Sequence, residues 1–568
     1  MNFKNAHALW SAVFMRTLRN CGVRLLAFAP DAALSPLADA AEETPRLDAV
    51  PAPDARAAGF FALGSAKSAA KPTALLCAAG TSDADCLAAV AEARLSRAPL
   101  LVIRAERAAE LVPAAAETER DRPFSSFFAP EKILVPASGL AALEEARAAV
   151  VSAVRECAEN GAPVFVRVRF RDARFPFAAE KNFPPADVPA GFDADAFCRV
   201  PPPPMREFLP LRERPPAPAP TELRGKKILI VAGTPPVGRD DAFNADLVSR
   251  RFAAPILADA THPLRHFPPA RERLIERFDA IFKTAGKPYA PPHDALRPDV
   301  VLQIGALPRS ASLRAWLASL AGTPAFVFSA CGGGDALPGA ADTGLRFCAC
   351  WNEVFFRGET RGAAAERSPE QETFLAAWKE ADARFRAKSD AYFRNAAAGT
   401  GTPTEPQIAR FLCGSRPESE TAVFVAGDAP ARDVNAFCPA GSRFWVFGNG
   451  DDASAAGALA SAFGAAHGCM EQTLFYTDAP TLLRGAEAFL LAPRFCGNLA
   501  VVLQNGGGSA APDFEKLAAA YGVGYARAGT LAELGAQLAR LRSRLGAHLI
   551  EIRTDAETSR RIRAELSC

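Results

Sequence analysis

The 568-residue chain has almost no excess charge of either sign: 65 Lys and Arg against 63 Asp and Glu leave +2. That balance supplies no electrostatic reason for a nucleic-acid or acidic-membrane partner, and neither is expected. No apolar run reaches bilayer-spanning length, so no membrane insertion is expected. The opening MNFKNAHALWSAVFMRTLRN lacks the apolar core and cleavage site of a secretory signal. Its Leu9, Val13, Phe14 and Leu18 fall instead at the spacing of an amphipathic helix. The 13 cysteines are scattered, mostly among alanines and aliphatics as in Leu76-Cys77-Ala78, which reads as packing in a reducing cytoplasm. Cys348 and Cys350 stand too close for a CxxC site and no second pair answers them. His262 and His266 have the i, i+4 spacing of a helical zinc pair, but Pro263 breaks the helix that would align them.

What is present is an ordinary globular balance, 49% hydrophobic and 23% charged, in a chain long enough for about three domains of roughly 150 to 200 residues. From Val23 to about Arg171, short apolar runs such as VRLLAFAP, TALLCAAGT and PLLVIRAE alternate with alanine-rich helical text. That alternation predicts a parallel sheet covered on both faces. The run PVFVRVRFRD closes this part, with Val164, Val166, Val168 and Phe170 alternating with Arg167, Arg169 and Arg171. It predicts one buried face and one basic face, the latter either solvated or gripping an anion.

The proline-dense stretch 201–222 predicts an extended connector between a first domain, 1–200, and a central α/β domain, 223–355. Within the latter, KKILIVAGT, APILADA, DVVLQIGALP and PAFVFSACGGGD are strand-like, and Gly332 to Gly334 read as a plain loop rather than a phosphate cradle. A helical connector over 356–405 leads to a C-terminal domain, 406–568, with a third strand/helix alternation. The fold class expected is therefore α/β, with three doubly wound parallel-sheet domains.

One stretch of the last domain carries chemistry. Leu499 to Gly508, LAVVLQNGGG, reads as a buried strand emptying into a backbone-exposing turn. Asp478 precedes Asn505 by 505 − 478 = 27 residues, room for one helix between two parallel strand ends. A carboxylate, an amide oxygen and the Gly507 carbonyl then converge on one hard cation, and magnesium suits that oxygen set.

This order and spacing resemble the metal and diphosphate signature of thiamine-diphosphate (ThDP) enzymes, GDG followed by NN, here Thr477-Asp478-Ala479 and Gln504-Asn505. The first domain narrows the likeness. APDAALSPL, PDARAAGFFALGSAKSA, CAAGT and PLLVIRAERAAEL, with FVAGDAPARDVNAF and FGNGDDASAAGALASAFG later, resemble in order the 2-succinyl-5-enolpyruvyl-6-hydroxy-3-cyclohexene-1-carboxylate synthase family. The likeness spans nearly the whole chain. It implies ThDP and Mg²⁺ as cofactors, a homodimer or dimer of dimers, and a cytoplasmic transferase of menaquinone biosynthesis. The family reaction is decarboxylation of 2-oxoglutarate and addition of the succinyl-semialdehyde unit to isochorismate. The implied cofactor residues are Gly80, Thr81, Asn449, Asp478, Asn505 and Gly506, the implied metal ligands Asp478, Asn505 and Gly507, and Arg432 matches a substrate-binding arginine.

Departures from the family pattern fall on its chemistry. The glutamate that relays a proton to the aminopyrimidine is Ala55, so no catalytic residue is assigned there. The serine and arginine expected after the first strand are Ala32 and Ala33, and Asp31 replaces a glycine. Ala79, Asp85, Thr118, Gly450 and Ala456 stand at further family polar positions, while framework residues such as Gly59, Phe60, Leu63, Gly64, Gly80 and Gly464 are retained. The expectation is a family member whose activity is weak or lost, or a non-catalytic descendant serving as a regulatory or scaffolding protein.

Overall fold

A computed structural model describes residues 3, 5–31, 34–107, 132–170, 187–189, 191–200, 223–233, 239–283, 294–320, 322–328, 367–397, 401–414, 422–441, 445–450, 452–507 and 512–566. The expectations for Ala32, Ala33, Thr118, the connector 201–222, Gly332 to Gly334 and Cys348 to Cys350 lie outside these residues. Among them the chain forms an α/β fold with three sheets, all of whose strand pairs are parallel.

The first sheet has strands β1 (Leu25–Phe28), β2 (Asp48–Pro51), β3 (Thr73–Ala78), β4 (Leu100–Arg107), β5 (Lys132–Leu134) and β6 (Val164–Phe170), in the order β2-β1-β3-β4-β6-β5. The second has β7 (Ile228–Ala232), β8 (Ile256–Ala258), β9 (Val300–Ile304) and β10 (Ala325–Phe328), in the order β10-β9-β7-β8. The third has β11 (Ala422–Val425), β12 (Trp445–Gly448), β13 (Gln472–Asp478), β14 (Asn498–Asn505), β15 (Gly524–Ala528) and β16 (Gly546–Arg553), in the order β12-β11-β13-β14-β16-β15. The first and third sheets thus repeat one topology, and in each the strand order reverses beside the first strand. Central strands such as TALLCA and NLAVVLQN are buried along their whole length, as sheets covered on both faces require.

The chain divides into two compact units. One holds residues 1–207 together with 451–468 and 483–496; the other holds 208–450, 469–482 and 497–568. In the first, helix Ala55–Ala69 packs on helix Ala458–Ala466 through small residues. The opening helix, Ala6–Asn20, is buried on more than the one expected face: Trp10 stacks on Phe14 at 5.3 Å and meets Phe170 edge-on at 6.4 Å. No helix among the described residues is long and apolar enough to cross a membrane.

The basic face expected for β6 is not solvated. Arg167 is 5% exposed and donates two hydrogen bonds to Glu106, at 2.5 and 2.8 Å, and Arg169 also bonds that carboxylate. The cause is register. β4 sets Arg104 opposite Arg167 and Glu106 opposite Arg169, so the arginines close on an acid from the neighbouring strand.

Candidate functional site

The third sheet reverses its strand order between β11 and β13, and open parallel sheets bind ligands at the carboxyl ends of the strands flanking such a point. Asp478 ends β13 opposite Gln504, and Asn505 is the next residue of β14. The register therefore brings Asp478 and Asn505 to adjacent strand ends. Gly506 and Gly507 form the turn that follows, and Asn449 lies just past the end of β12, on the same edge.

Each group at this edge has a definite local cause. Asp478 Oδ1 accepts from the backbone N–H of Thr481 at 3.0 Å, capping the helix Ala479–Arg484, and leaves Oδ2 without a hydrogen bond among the described residues. Gly427 faces that free oxygen. Its φ is +99°, and a Cβ there would lie 2.8 Å from Asp478 Oδ2 and 3.0 Å from Thr481 Oγ1, so only glycine fits. Gly427 also opens the helix Asp428–Phe437, which presents backbone N–H groups beside the carboxylate.

Asn505 is 9% exposed; its Nδ2 donates to Glu551 Oε1 at 2.9 Å and its Oδ1 accepts from Gly507 N at 3.1 Å. The amide oxygen is thereby turned toward the Gly507 loop. Gly507 has φ +67° with open space where a side chain would be, whereas a Cβ on Gly506 would meet that of Ala556 at 3.1 Å. Glu551, a strand residue 3% exposed, also accepts from the Tyr525 hydroxyl at 2.5 Å and lies 3.5 Å from Arg527 Nη2. It positions Asn505, and its only sequence signal is an acid inside the apolar run HLIEIR.

The other expected positions have surroundings of their own. Ala55 begins its helix and is 5% exposed; the carboxylate beside it, Asp54, caps the helix by accepting from Ala57 N at 2.7 Å. Arg56 pairs with Glu487. Gly80, with φ +117°, precedes the helix Thr81–Leu95 and has open space around its α-carbon. Asn449 accepts on its backbone oxygen from Arg309 Nη2 at 3.1 Å. Arg432 lies one turn into the helix Asp428–Phe437, half-exposed, with Nη1 3.8 Å from Asp428 Oδ2. Among the described residues no three His, Cys, Asp or Glu side chains converge as a metal cluster, so an ion at Asp478 would need amide and carbonyl oxygens as its other ligands.

Parallel sheets with a glycine-framed carboxylate at the switch point define an α/β protein of the ThDP-enzyme type. Residues 10–123 match the family model described as thiamine pyrophosphate enzyme, N-terminal TPP binding domain. Along most of its length the chain is similar to 2-succinyl-5-enolpyruvyl-6-hydroxy-3-cyclohexene-1-carboxylate synthases. Identity is 32% to that of Synechococcus elongatus, covering 94% of this chain and 90% of the relative. It is 30% to that of Thermosynechococcus vestitus, covering 94% and 93%, and 29% to that of Synechococcus sp. strain JA-3-3Ab, covering 100% and 96%. The chain belongs to the 2-succinyl-5-enolpyruvyl-6-hydroxy-3-cyclohexene-1-carboxylate synthase family.

Proposed function

We propose that the protein binds ThDP and Mg²⁺ at the third sheet but turns over the family reaction, 2-oxoglutarate decarboxylation with addition to isochorismate, weakly or not at all. The single observation that carries the second half is Ala55. It occupies the first helical position, is buried, and has as its nearest sequence acid Asp54, whose Oδ1 is committed to the helix cap. Nothing at that position can hold or move a proton. Loss of a general acid–base group costs roughly two to four orders of magnitude in rate.

Binding is a separate matter. The Oδ2 of Asp478, the Oδ1 of Asn505 and the Gly507 carbonyl are oxygens of the kind that suits Mg²⁺, and Gly427 lets the start of the helix Asp428–Phe437 pack close beside the Asp478 carboxylate. When bound, ThDP supplies the electron sink that decarboxylation of a 2-oxo acid needs. Gly80 and Thr81, with Asn449 and Gly506, are the further positions assigned to the cofactor, and Arg432 to a substrate carboxylate. A homodimer or dimer of dimers is the assembly assigned by the family.

A second reading, a non-catalytic regulatory or scaffolding protein, is favoured by the same alanine. Calorimetry with ThDP and Mg²⁺, run beside an assay with 2-oxoglutarate and isochorismate, separates the two. Binding with turnover reduced at least a hundredfold from an ordinary synthase supports the proposal. Turnover within tenfold of one overturns it; absence of cofactor binding leaves the second reading.

A further inference from the structure

The first compact unit carries a cleft of about 460 Å³ that none of the chemistry above uses. Three segments line it: Arg19, Asn20 and Arg24 where the opening helix leads into β1, Pro45 and Arg46 before β2, and Asp195 and Arg199 beyond β6. Arg24 immediately precedes β1 and Arg46 stands two residues before β2, so the cleft opens at the amino ends of these parallel strands. Gly80 follows the carboxyl end of β3, on the opposite edge of the same sheet.

Hydrogen bonds tie the three segments to one another. Arg19 Nη1 donates to the Pro45 carbonyl at 3.3 Å, Asp48 N to the Arg24 carbonyl at 2.8 Å, and Asn20 Nδ2 to the Cys198 carbonyl at 2.6 Å. Arg147 Nη2 holds the Arg199 carbonyl at 2.9 Å. The backbone that carries the arginines is therefore fixed before any ligand arrives, which lowers the ordering cost of binding.

Their side chains are less committed. The one carboxylate of the lining, Asp195, already lies 3.4 Å from Arg16 Nη1 and 3.7 Å from Arg19 Nη2. Arg24, exposed, gives one guanidinium nitrogen to the Arg19 carbonyl at 2.8 Å. Arg46 and Arg199 are exposed, and neither side chain has a hydrogen bond or ion pair among the described residues. The partial negative charge of a helix C-terminus accounts for Arg19 and Arg24. It does not account for Arg46, whose φ of +66° is strained for any residue with a side chain and would suit glycine better. Strain of this kind gathers at ligand-binding positions.

We propose that this cleft binds a compact oligophosphate through Arg24, Arg46 and Arg199. Guanidinium groups pair with phosphate oxygens two at a time, and arginines approaching from three segments need a ligand that presents oxygens in several directions. Tetrahedral phosphoryl groups do so, whereas a carboxylate offers two oxygens in one plane. Pro45 is the only wholly apolar side chain in the lining, so no base or ring is gripped and the phosphate chain alone is recognised.

The probe is inorganic tripolyphosphate, titrated into the full chain by thermal unfolding at fixed ionic strength without ThDP or Mg²⁺, with citrate as the polycarboxylate control. Tripolyphosphate should raise the unfolding temperature markedly more than citrate. ATP should bind within about threefold of tripolyphosphate, since its nucleoside finds no apolar wall. Arg46→Ser and Arg199→Ser combined should weaken the apparent affinity roughly tenfold or more. Arg46→Gly, relieved of the left-handed strain, should bind about threefold more weakly yet unfold no earlier than the wild type without ligand. No tripolyphosphate shift, an equal shift with citrate, much tighter binding of ATP, or wild-type affinity in the double variant would overturn the proposal. The last result would place the anion at another site. Both arginines are exposed and lie outside the candidate cofactor site, and no cofactor is present, so the outcome is independent of the function proposed above.

Discussion

The α-carbon of Gly64 lies against the backbone of Ser461 so closely that a Cβ built on it would sit 1.8 Å from the Ser461 carbonyl oxygen. The contact is reciprocal one helix turn away, where a Cβ on Gly464 would lie 1.8 Å from the carbonyl oxygen of Phe61. Backbone faces backbone at both points, so no flexible side chain can yield. Gly64→Ala or Gly464→Ala must therefore part the helices Ala55–Ala69 and Ala458–Ala466, at an expected cost of about 3 kcal/mol or more. Denaturant melts of either variant should show that loss. Gly401→Ala, where nothing lies within 4 Å, should leave stability almost unchanged.

Gly427 constrains the candidate cofactor site in a way that can be separated from its own backbone strain. Gly427→Ala places a methyl 2.8 Å from Asp478 Oδ2 and imposes φ +99° on a non-glycine residue. Gly468→Ala imposes a similar strain, φ +76°, with open space around it. Both should lose roughly 1 to 2 kcal/mol from the positive φ. Only Gly427→Ala should also lose the stabilisation conferred by ThDP with Mg²⁺, as should Asp478→Ala. Equal cofactor-induced shifts in all three variants would remove Asp478 from the site.

His262 and His266 are both buried, and burial lowers them to about 3 and about 4. His262 Nδ1 accepts from Leu264 N at 3.1 Å and His266 Nε2 lies 2.5 Å from the Ala260 carbonyl oxygen. A histidine depressed below its unfolded value of 6.5 adds stability that is complete above that pH and lost as pH falls through the folded value. Asp259 works the other way. Raised by burial to about 6 from 3.8, it favours the fold below pH 3.8 and ceases to as pH rises through 6. His262→Asn keeps a side-chain acceptor for Leu264 N and cannot charge. It should remove up to roughly 4 kcal/mol of the stability lost between pH 6.5 and 3, read from denaturant melts at each pH. An unchanged pH profile would show that His262 does not titrate with folding.

The parts of this molecule that the sequence makes legible are those set by short-range pattern. TALLCA and NLAVVLQN announce buried parallel strands because every residue in them is apolar or sits at a strand end, and the 27-residue interval from Asp478 to Asn505 suffices to bring them to neighbouring ends. What it hides is cross-strand register. The arginines of VFVRVRF look like a solvent face until β4 sets Glu106 among them. Glu551 is silent until β16 pairs with β14 and its carboxylate reaches Asn505. Arg277 is one arginine among many in the text; only folding buries its guanidinium with no hydrogen-bond acceptor among the described residues. The Gly427–Asp478 contact likewise joins residues 51 apart, by the arithmetic 478 − 427, through a backbone angle that no periodicity encodes.

Ala55→Glu tests whether the missing proton relay is the whole deficit. The position is the first of its helix, where a carboxylate is favoured by the helix dipole, and the Asp54 cap remains to hold the helix start. Ala55 is 5% exposed, so the new acid should be raised in pKa, the environment in which such relays operate. Yet the sequence offers Ala32 and Ala33 where the family pattern has a serine and an arginine, and each lost charge-assisted contact to a substrate carboxylate is worth roughly 1.5 to 3 kcal/mol. Ala55→Glu alone should therefore raise 2-oxoglutarate decarboxylation less than about a hundredfold over the wild type and leave KM for 2-oxoglutarate high. Full recovery by the single substitution, with KM at the level of an ordinary synthase, would mean that other residues of this chain bind the substrate carboxylates and that Ala55 is the only catalytic loss.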